Sequence, residues 1–413
     1  MAENPKRRKI VLKPSPPDRP FSSHALAEKH SIIFIDSARK LESLIQALEL
    51  ESEIGVDLEA DSLHHYKDRV CLIQISTRQN DWIVDPLQGD FLQPLWRIFE
   101  SPNRVKIFHD ADFDLRSLNR DYGLELKNIF DTKISLELLG HTNVGLAAVL
   151  DEYFQAESKK RFQKYQWSKR PLSHEAVVYA AGDTHYLIQL KKILIDKLII
   201  TDRLTWAEQE FKYLETIRWQ PSKKEALSYW RLFDKKNKSP QYRECLRLVW
   251  TFREKIAQEQ DKPVFKIFHD DVFSELSWLF TNPSVKNQKT YLKRIVPSAF
   301  RDAVADCIYQ AQKTPDDKCP EYPSSLFEPA PPYDKELFKK LGKRREWSAS
   351  QKNIDPGIIV GNSTLKKMAR LAEDDLKNYQ IVKQHTGLRP WQWSLLTADA
   401  NSTEIPSNPY GDQ

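Results

Sequence analysis

The segment Gly55-Val56-Asp57-Leu58-Glu59 combines acidic and apolar residues in strict alternation. Read as a strand, it puts Ile54, Val56 and Leu58 on one face and Asp57 and Glu59 on the other. Two carboxylates on one face, flanked by core residues, repel each other unless a cation neutralises them, and hard divalent ions with oxygen ligands suit that role. A lone D-x-E with one acid facing solvent is the plain structural alternative. A second acidic run, His109-Asp110-Ala111-Asp112-Phe113-Asp114-Leu115, leads into a helix. It is not an EF-hand loop, because Leu115 stands where that loop needs Gly and Asp121 where it needs Glu. Some of its acids serve as helix caps favoured by the macrodipole, and one is available to a metal site. A third pair, Tyr179 and Asp183, is spaced i, i+4 within a helix expected to run from Ser173 to about Ile199, so both groups lie on one helical face. Ala180, Ala181 and Gly182 between them are small enough to admit another backbone.

These residues need a scaffold, and the hydrophobic pattern supplies one. SIIFI, EIGVDLEA, VCLIQIS, DWIVDPL and RVKIFH read as strands, and SARKLESLIQALEL, FLQPLWRIFES and the segments on to about residue 200 read as helices. Strands followed by helices in one run indicate a mixed α/β domain with a central sheet. The pattern beyond it is helical. The organisation expected is a basic, proline-rich arm over 1–24, the α/β domain over 25–205 and a helical unit over 206–312. A proline-rich linker over 313–333, a second helical unit over 334–398 and a polar tail over 399–413 complete the chain.

The chain has 413 residues, 40% hydrophobic and 11% aromatic, enough for two or three packed domains. Its 11 Gly against 11 Trp exclude glycine-rich repeat architectures. No stretch approaches the ~20 apolar residues of a membrane helix, and MAENPKRRKIVLKPSPPDRP lacks the apolar core of a secretory signal. Cys71, Cys245, Cys307 and Cys319 are scattered without C-x-x-C spacing, which argues against a disulfide framework or a zinc site and for a cytoplasmic protein. Net charge is +5, but it is concentrated. Residues 158–170 hold six cations (Lys159, Lys160, Arg161, Lys164, Lys169 and Arg170) and no acid, interleaved with Phe162, Tyr165 and Trp167. Residues 218–247 hold nine cations among Trp219, Tyr229, Trp230, Phe233 and Tyr242, and a third cluster comprises Lys339, Lys340, Lys343, Arg344 and Arg345. Cations with aromatics suit phosphates and unpaired bases. A solvated helix face with inward-pointing aromatics is the alternative for each.

The order D-x-E, helix-start Asp and Tyr-x-x-x-Asp resembles the DEDDy family of 3′→5′ exonucleases, and within it ribonuclease D. VDLEADSLHHYKDRVCLIQIS, WIVDPL, HDADFDLRSL, IFDTKISLELLG, WSKRPL and YAAGDTHYLIQL resemble that family's stretches in order. REKIAQEQDKPVFKIFHDDVFSELS resembles the HRDC nucleic-acid-binding module, and REWSASQKNIDPGIIVGNSTLKKMA a more divergent copy. The resemblance implies a ribonuclease H-like exonuclease domain, a mixed central sheet flanked by helices, followed by two all-α HRDC-like domains. It implies four metal ligands, Asp57, Glu59, Asp114 and Asp183, for two divalent ions (Mg²⁺ or Mn²⁺) and no organic cofactor. Asp57 would bridge both ions, Glu59 and Asp183 would serve the water-activating one, and Asp114 the leaving-group one. Tyr179 would orient the attacking water, while Asp110 and Asp112 fall at variable positions. Gly182 departs from the family's usual Ala or Asn. The implied activity is release of nucleoside 5′-monophosphates from single-stranded 3′ ends of structured RNA, tRNA precursors foremost, by a monomer away from membranes. A DNA exonuclease and a non-catalytic RNA-binding scaffold are the rival expectations, the latter opposed by the complete acid set.

Overall fold

The computed structural model describes residues 31–397 except 157–161, 163, 222–224, 238, 282–287 and 324–330. The expected N-terminal arm, the polar tail from 399 and a third of the proline-rich segment therefore lie outside the described residues. The α/β domain opens with β1 (Ser31–Ile35), α1 (Ala38–Glu49), β2 (Glu53–Ala60), β3 (Val70–Ser76) and β4 (Asn80–Val84). It continues through α2 (Gln93–Glu100), β5 (Val105–Phe108), α3 (Asp112–Tyr122), β6 (Ile129–Asp131), α4 (Thr132–Leu138) and α5 (Leu146–Phe154). The six strands form one mixed sheet in the order β1-β4-β3-β2-β5-β6. β2 is antiparallel to β3 and parallel to β5, so it lies inside the sheet with neighbours on both sides. Its alternation is the expected one: Ile54, Val56 and Leu58 enter the main core, and Asp57 and Glu59 face the other way. A register shift at Glu59/Ala60 ends the regular ladder beside the acids, as bulges next to functional sites often do.

The sequence pattern predicts a single helix from Ser173 to Ile199. The structure divides it at Tyr186 into α6 (His174–His185) and α7 (Leu187–Ile200). Ser173 caps the start of α6 by accepting from the Ala176 amide. At the break, the Thr184 carbonyl presses onto β2 at Gly55, where an added Cβ would stand 2.9 Å from that oxygen and 3.3 Å from the Leu187 Cβ. The hydroxyls of Thr184 and Ser76 are hydrogen-bonded at 2.6 Å, Ser76 donates to Asp81 at 2.6 Å, and His185 meets the other Asp81 oxygen at 2.8 Å. The close approach thus occurs at Gly55 on the strand rather than at Gly182, where an added Cβ meets nothing within 4 Å.

After α8 (Leu204–Leu214) come two helical units of different standing. The first contains α9 (Pro240–Glu259), α10 (Val264–Ile267), α11 (Asp271–Thr281), α12 (Gln288–Ile295) and α13 (Arg301–Lys313) around a core of its own. Tyr322, from the segment read as linker, packs on Trp230 and Phe233, so the proline-rich stretch begins as part of this unit. The unit meets the α/β domain where Tyr66 packs against its core and through polar contacts: Asp261 with His65 at 2.6 Å, and Glu254 and Gln258 with the Tyr66 hydroxyl at 2.8 and 2.9 Å. The second unit, α14 (Lys335–Lys352), α15 (Pro356–Ile359), α16 (Asn362–Met368), α17 (Tyr379–Thr386) and α18 (Pro390–Thr397), joins the core of the α/β domain itself. Trp391 stacks on Trp206 of α8 with centroids 4.9 Å apart, and its indole donates to the buried Glu210 at 2.7 Å. Arg389 pairs with the same carboxylate. No helix among the described residues is long and apolar enough to cross a membrane.

Two glycine substitutions separate these effects. Gly55→Ala is expected to cost about 1–3 kcal/mol as an overpacking change and to lower any activity that needs Asp183 in place. Gly182→Ala should stabilise by about 0.5–1 kcal/mol through helix propensity and leave activity intact. Urea unfolding and activity on the two variants check both.

Candidate metal centre

β2 presents Asp57 and Glu59 to the face on which α6 lies, and α6 returns Asp183 to the same point. A ligand oxygen from each of the three lies within 4.8 Å of the other two. Asp114 is not in that tight group. It is buried, 6% exposed, in the first turn of α3, and close enough for its charge to act on Glu59 and for the Asp57 charge to act on it. Asp131, which no motif spacing singles out, holds this part of the site. Its carboxylate accepts from the Ala111, Asp110 and Ile134 amides at 2.7, 3.3 and 3.0 Å, tying the start of α3 to the start of α4. Its signal was an acid standing directly before a helix, IFDTKIS, where a cap is expected.

Burial dominates the electrostatics. It pushes the Asp57 carboxyl up to about 7 against an ordinary 3.8. Glu59, Asp114 and Asp183 are raised well above the usual carboxylate range, first by desolvation and then by the charge of neighbouring carboxylates, Asp57 foremost. Among the described residues no salt bridge neutralises any of the four. By contrast, Asp110 is paired with Lys133 at 2.6 Å and Asp112 with Arg116 at 2.6 Å, so the flanking acids are spent locally. A cluster of desolvated, unpaired carboxylates is the donor set that oxygen-seeking divalent cations require.

Tyr179 donates to Asp183 one turn along α6, and burial together with three nearby carboxylates holds its phenol neutral, far above its ordinary value. Its ring lies against Phe162 and Trp167, with centroids 5.1 and 6.2 Å away. Phe162 and Trp167 are themselves buried, at 5% and 2% exposure. Phe162 and Trp167 are therefore the bed of Tyr179 rather than surfaces for bases, a correction to the interleaved reading, while the half-buried Tyr165 packs on those two rings. Arg170 is corrected likewise. Its Nε and Nη2 bond the fully buried Asp85 at 2.5 and 2.6 Å, and its remaining donors go to the carbonyls of Cys71, Trp167 and Lys169. No donor is left for a phosphate. Lys164 and Lys169 are exposed, and Lys159, Lys160 and Arg161 lie outside the described residues. In the second cluster Tyr229, Trp230 and Tyr242 are also core. In the third, Lys339 and Lys340 pair with Glu336 and Glu373, and Arg344 lies over the exposed Trp347 at 4.3 Å.

An α/β domain with an acidic centre between a sheet strand and a helix, carrying helical units behind it, is the layout of a 3′→5′ exonuclease. Comparison with known proteins agrees. The 3′–5′ exonuclease family profile matches residues 32–199 and the HRDC domain profile residues 334–386, the unit read from sequence as the divergent copy. The exosome complex exonuclease RRP6 of Saccharomyces cerevisiae is 34% identical over 245 residues, covering 56% of this chain and 33% of that protein. The solved catalytic core of RRP6 from Trypanosoma brucei is 30% identical with a TM-score of 0.59, covering 68% of this chain and 79% of that one. Escherichia coli RNase D shares the fold, with a TM-score of 0.58 at 20% identity over 87% of this chain and 92% of that one. The chain belongs to the ribonuclease D-like family of 3′→5′ exonucleases. It spans a third or less of the length of the curated relatives it matches.

The raised carboxyls have a consequence for stability. Asp57 ionises near 3.8 in the unfolded chain and at about 7 in the folded, metal-free one. Between those values the folded state binds more protons, so its stability falls as pH rises through the window. In EDTA the melting temperature should decline from about pH 4 to about pH 7, and Asp57→Asn should flatten the decline. Saturating Mn²⁺ at pH 7 should restore the lost stability. Calorimetric melts across pH test this; a rise through the window in EDTA would contradict it.

Proposed function

We propose that this protein is a metal-dependent 3′→5′ exoribonuclease that trims 3′ ends of structured RNA, with tRNA precursors as the substrate class. The observation that carries the reading is the convergence of Asp57, Glu59 and Asp183 within 4.8 Å, unneutralised, with Tyr179 bonded to Asp183 beside them. The similarity to an exosome complex exonuclease supports the reaction type, and the exposed cations of the helical units support a nucleic-acid path.

Asp57, Glu59 and Asp183 would hold divalent cations, with Asp114 contributing from α3. Bound there, two such ions supply an activated water, neutralise the non-bridging oxygens and stabilise the leaving oxyanion. The chain's own groups do the rest. Tyr179, neutral at physiological pH, cannot accept the water's proton as a phenolate; it orients the water by hydrogen bonding. Its position is set by Phe162 and Trp167 on one side and by the Asp183 bond on the other. Asp131 keeps α3, and with it Asp114, at a fixed distance from β2. Lys164 and Lys169, exposed ahead of α6, would meet the backbone of the incoming strand.

A gel assay on 5′-labelled single-stranded RNA and matched DNA, with Mn²⁺, Mg²⁺ or EDTA, tests this. A ladder shortening from the 3′ end is expected with metal and not with EDTA. Asp57→Asn should lower the rate by at least about 10²-fold, the scale of removing one transition-state electrostatic group. The RNA-to-DNA rate ratio decides the sugar, and a precursor tRNA with a 3′ trailer tests the substrate class. RNA bound but not shortened under any metal would sink the proposal.

A further inference from the structure

Gln74 lies in the middle of β3, directly opposite Asp57 in the antiparallel ladder. Directly opposed residues share a sheet face, with Cβ atoms about 4.5–5.5 Å apart. Gln74 therefore projects onto the face that carries Asp57 and Glu59. It is fully buried, at 0% exposure, and neither Nε2 nor Oε1 has a hydrogen-bond partner among the described residues. A primary amide offers two donors and an acceptor, and buried polar groups are paired in the great majority of cases. The next polar residue on the same face shows that partners can be provided here: Ser76 is bonded to both Asp81 and Thr184 at 2.6 Å. The flanking positions Leu72, Ile73 and Ile75 are apolar and equally buried, so an aliphatic residue would fill the site of Gln74 without leaving polar atoms unmet.

The Asp57 carboxylate has a matching need. Its hydrogen-bond donor in this structure is the Leu58 amide. A carboxylate that ligates a cation keeps lone pairs for other donors, and ligating carboxylates are characteristically held by such bonds. We propose that Gln74 is a positioning residue of the metal centre, whose amide donates to the Asp57 carboxylate when a divalent cation is bound and accepts from water entering with it. The amide orients the ligand and touches neither substrate nor the reacting atoms. This rests on the reading of Asp57, Glu59 and Asp183 as metal ligands.

The test uses the full chain and Gln74→Met, which keeps length and volume while removing both polar atoms, with Gln74→Leu as a second variant. Thermal melts are recorded in EDTA and across a Mn²⁺ titration. In EDTA the variants are expected to melt at or above the wild-type temperature, since an unmet buried amide is gone. The Mn²⁺ concentration giving half of the metal-induced rise should increase by about tenfold or more, the usual scale for losing a partner of a metal ligand. An unchanged Mn²⁺ midpoint in both variants overturns the proposal while leaving the metal reading intact. Loss of a cooperative melt in EDTA also overturns it, because the amide would then serve the fold. A wild-type protein that shows no rise with Mn²⁺ overturns the metal reading itself.

Discussion

Mutual repulsion among four desolvated carboxylates is the constraint on which the rest of the structure turns. Left to themselves, Asp57, Glu59, Asp114 and Asp183 would separate or protonate, and the raised carboxyls show how strongly burial favours the latter. They stay together because three rigid supports carry them, Asp57 and Glu59 on β2, Asp114 on α3 and Asp183 on α6. β2 is locked between two strands, α3 is tied to α4 through Asp131, and α6 is pressed against β2 where Gly55 admits the Thr184 carbonyl. Strain of this kind at a site, offset by good packing elsewhere, suits a centre built to hold cations.

The supports around the site are apolar on one side and polar on the other. Phe162, Trp167, Ala176 and Ala180 form a small separate core under α6, and Tyr179 is the point where that core meets the acids. On the far side Ser76, Asp81, Thr184 and His185 make a closed buried network. A buried network with its partners met fixes a geometry more sharply than apolar packing alone, and this one fixes the residue next to Asp183. Arg170 and Asp85 act similarly at the start of α6, joining the basic segment to the end of β4.

The two helical units illustrate different ways of attaching a module. The second shares the core of the catalytic domain through Trp206, Trp391 and Glu210, so it moves with the site. The first keeps its own core and touches the loop after β2 through His65, Tyr66, Asp261 and Glu254. Polar contacts of this size are weak beside an apolar core, yet they fall on the loop that leaves Glu59.

Much of this was legible in the order of residues. Period-two alternation across 54–59 places Asp57 and Glu59 on one face whatever the tertiary fold, and i, i+4 spacing brings Tyr179 beside Asp183 in any helix. The α/β domain and the helical units behind it follow from the same periodicities. The fate of the basic segment was not legible, because sequence shows that Phe162, Trp167 and Arg170 are present but not which way they face. The division of the long helix falls at Tyr186, where the Thr184 carbonyl lies against Gly55, a residue some 130 positions earlier whose proximity no local propensity encodes. Nor could composition tell that one helical unit would merge with the catalytic core and the other stand apart. Local spacing determined which acids can meet, since short-range geometry is a property of the backbone. Which residues are buried, which charges go unpaired and which modules share a core were decided by long-range packing.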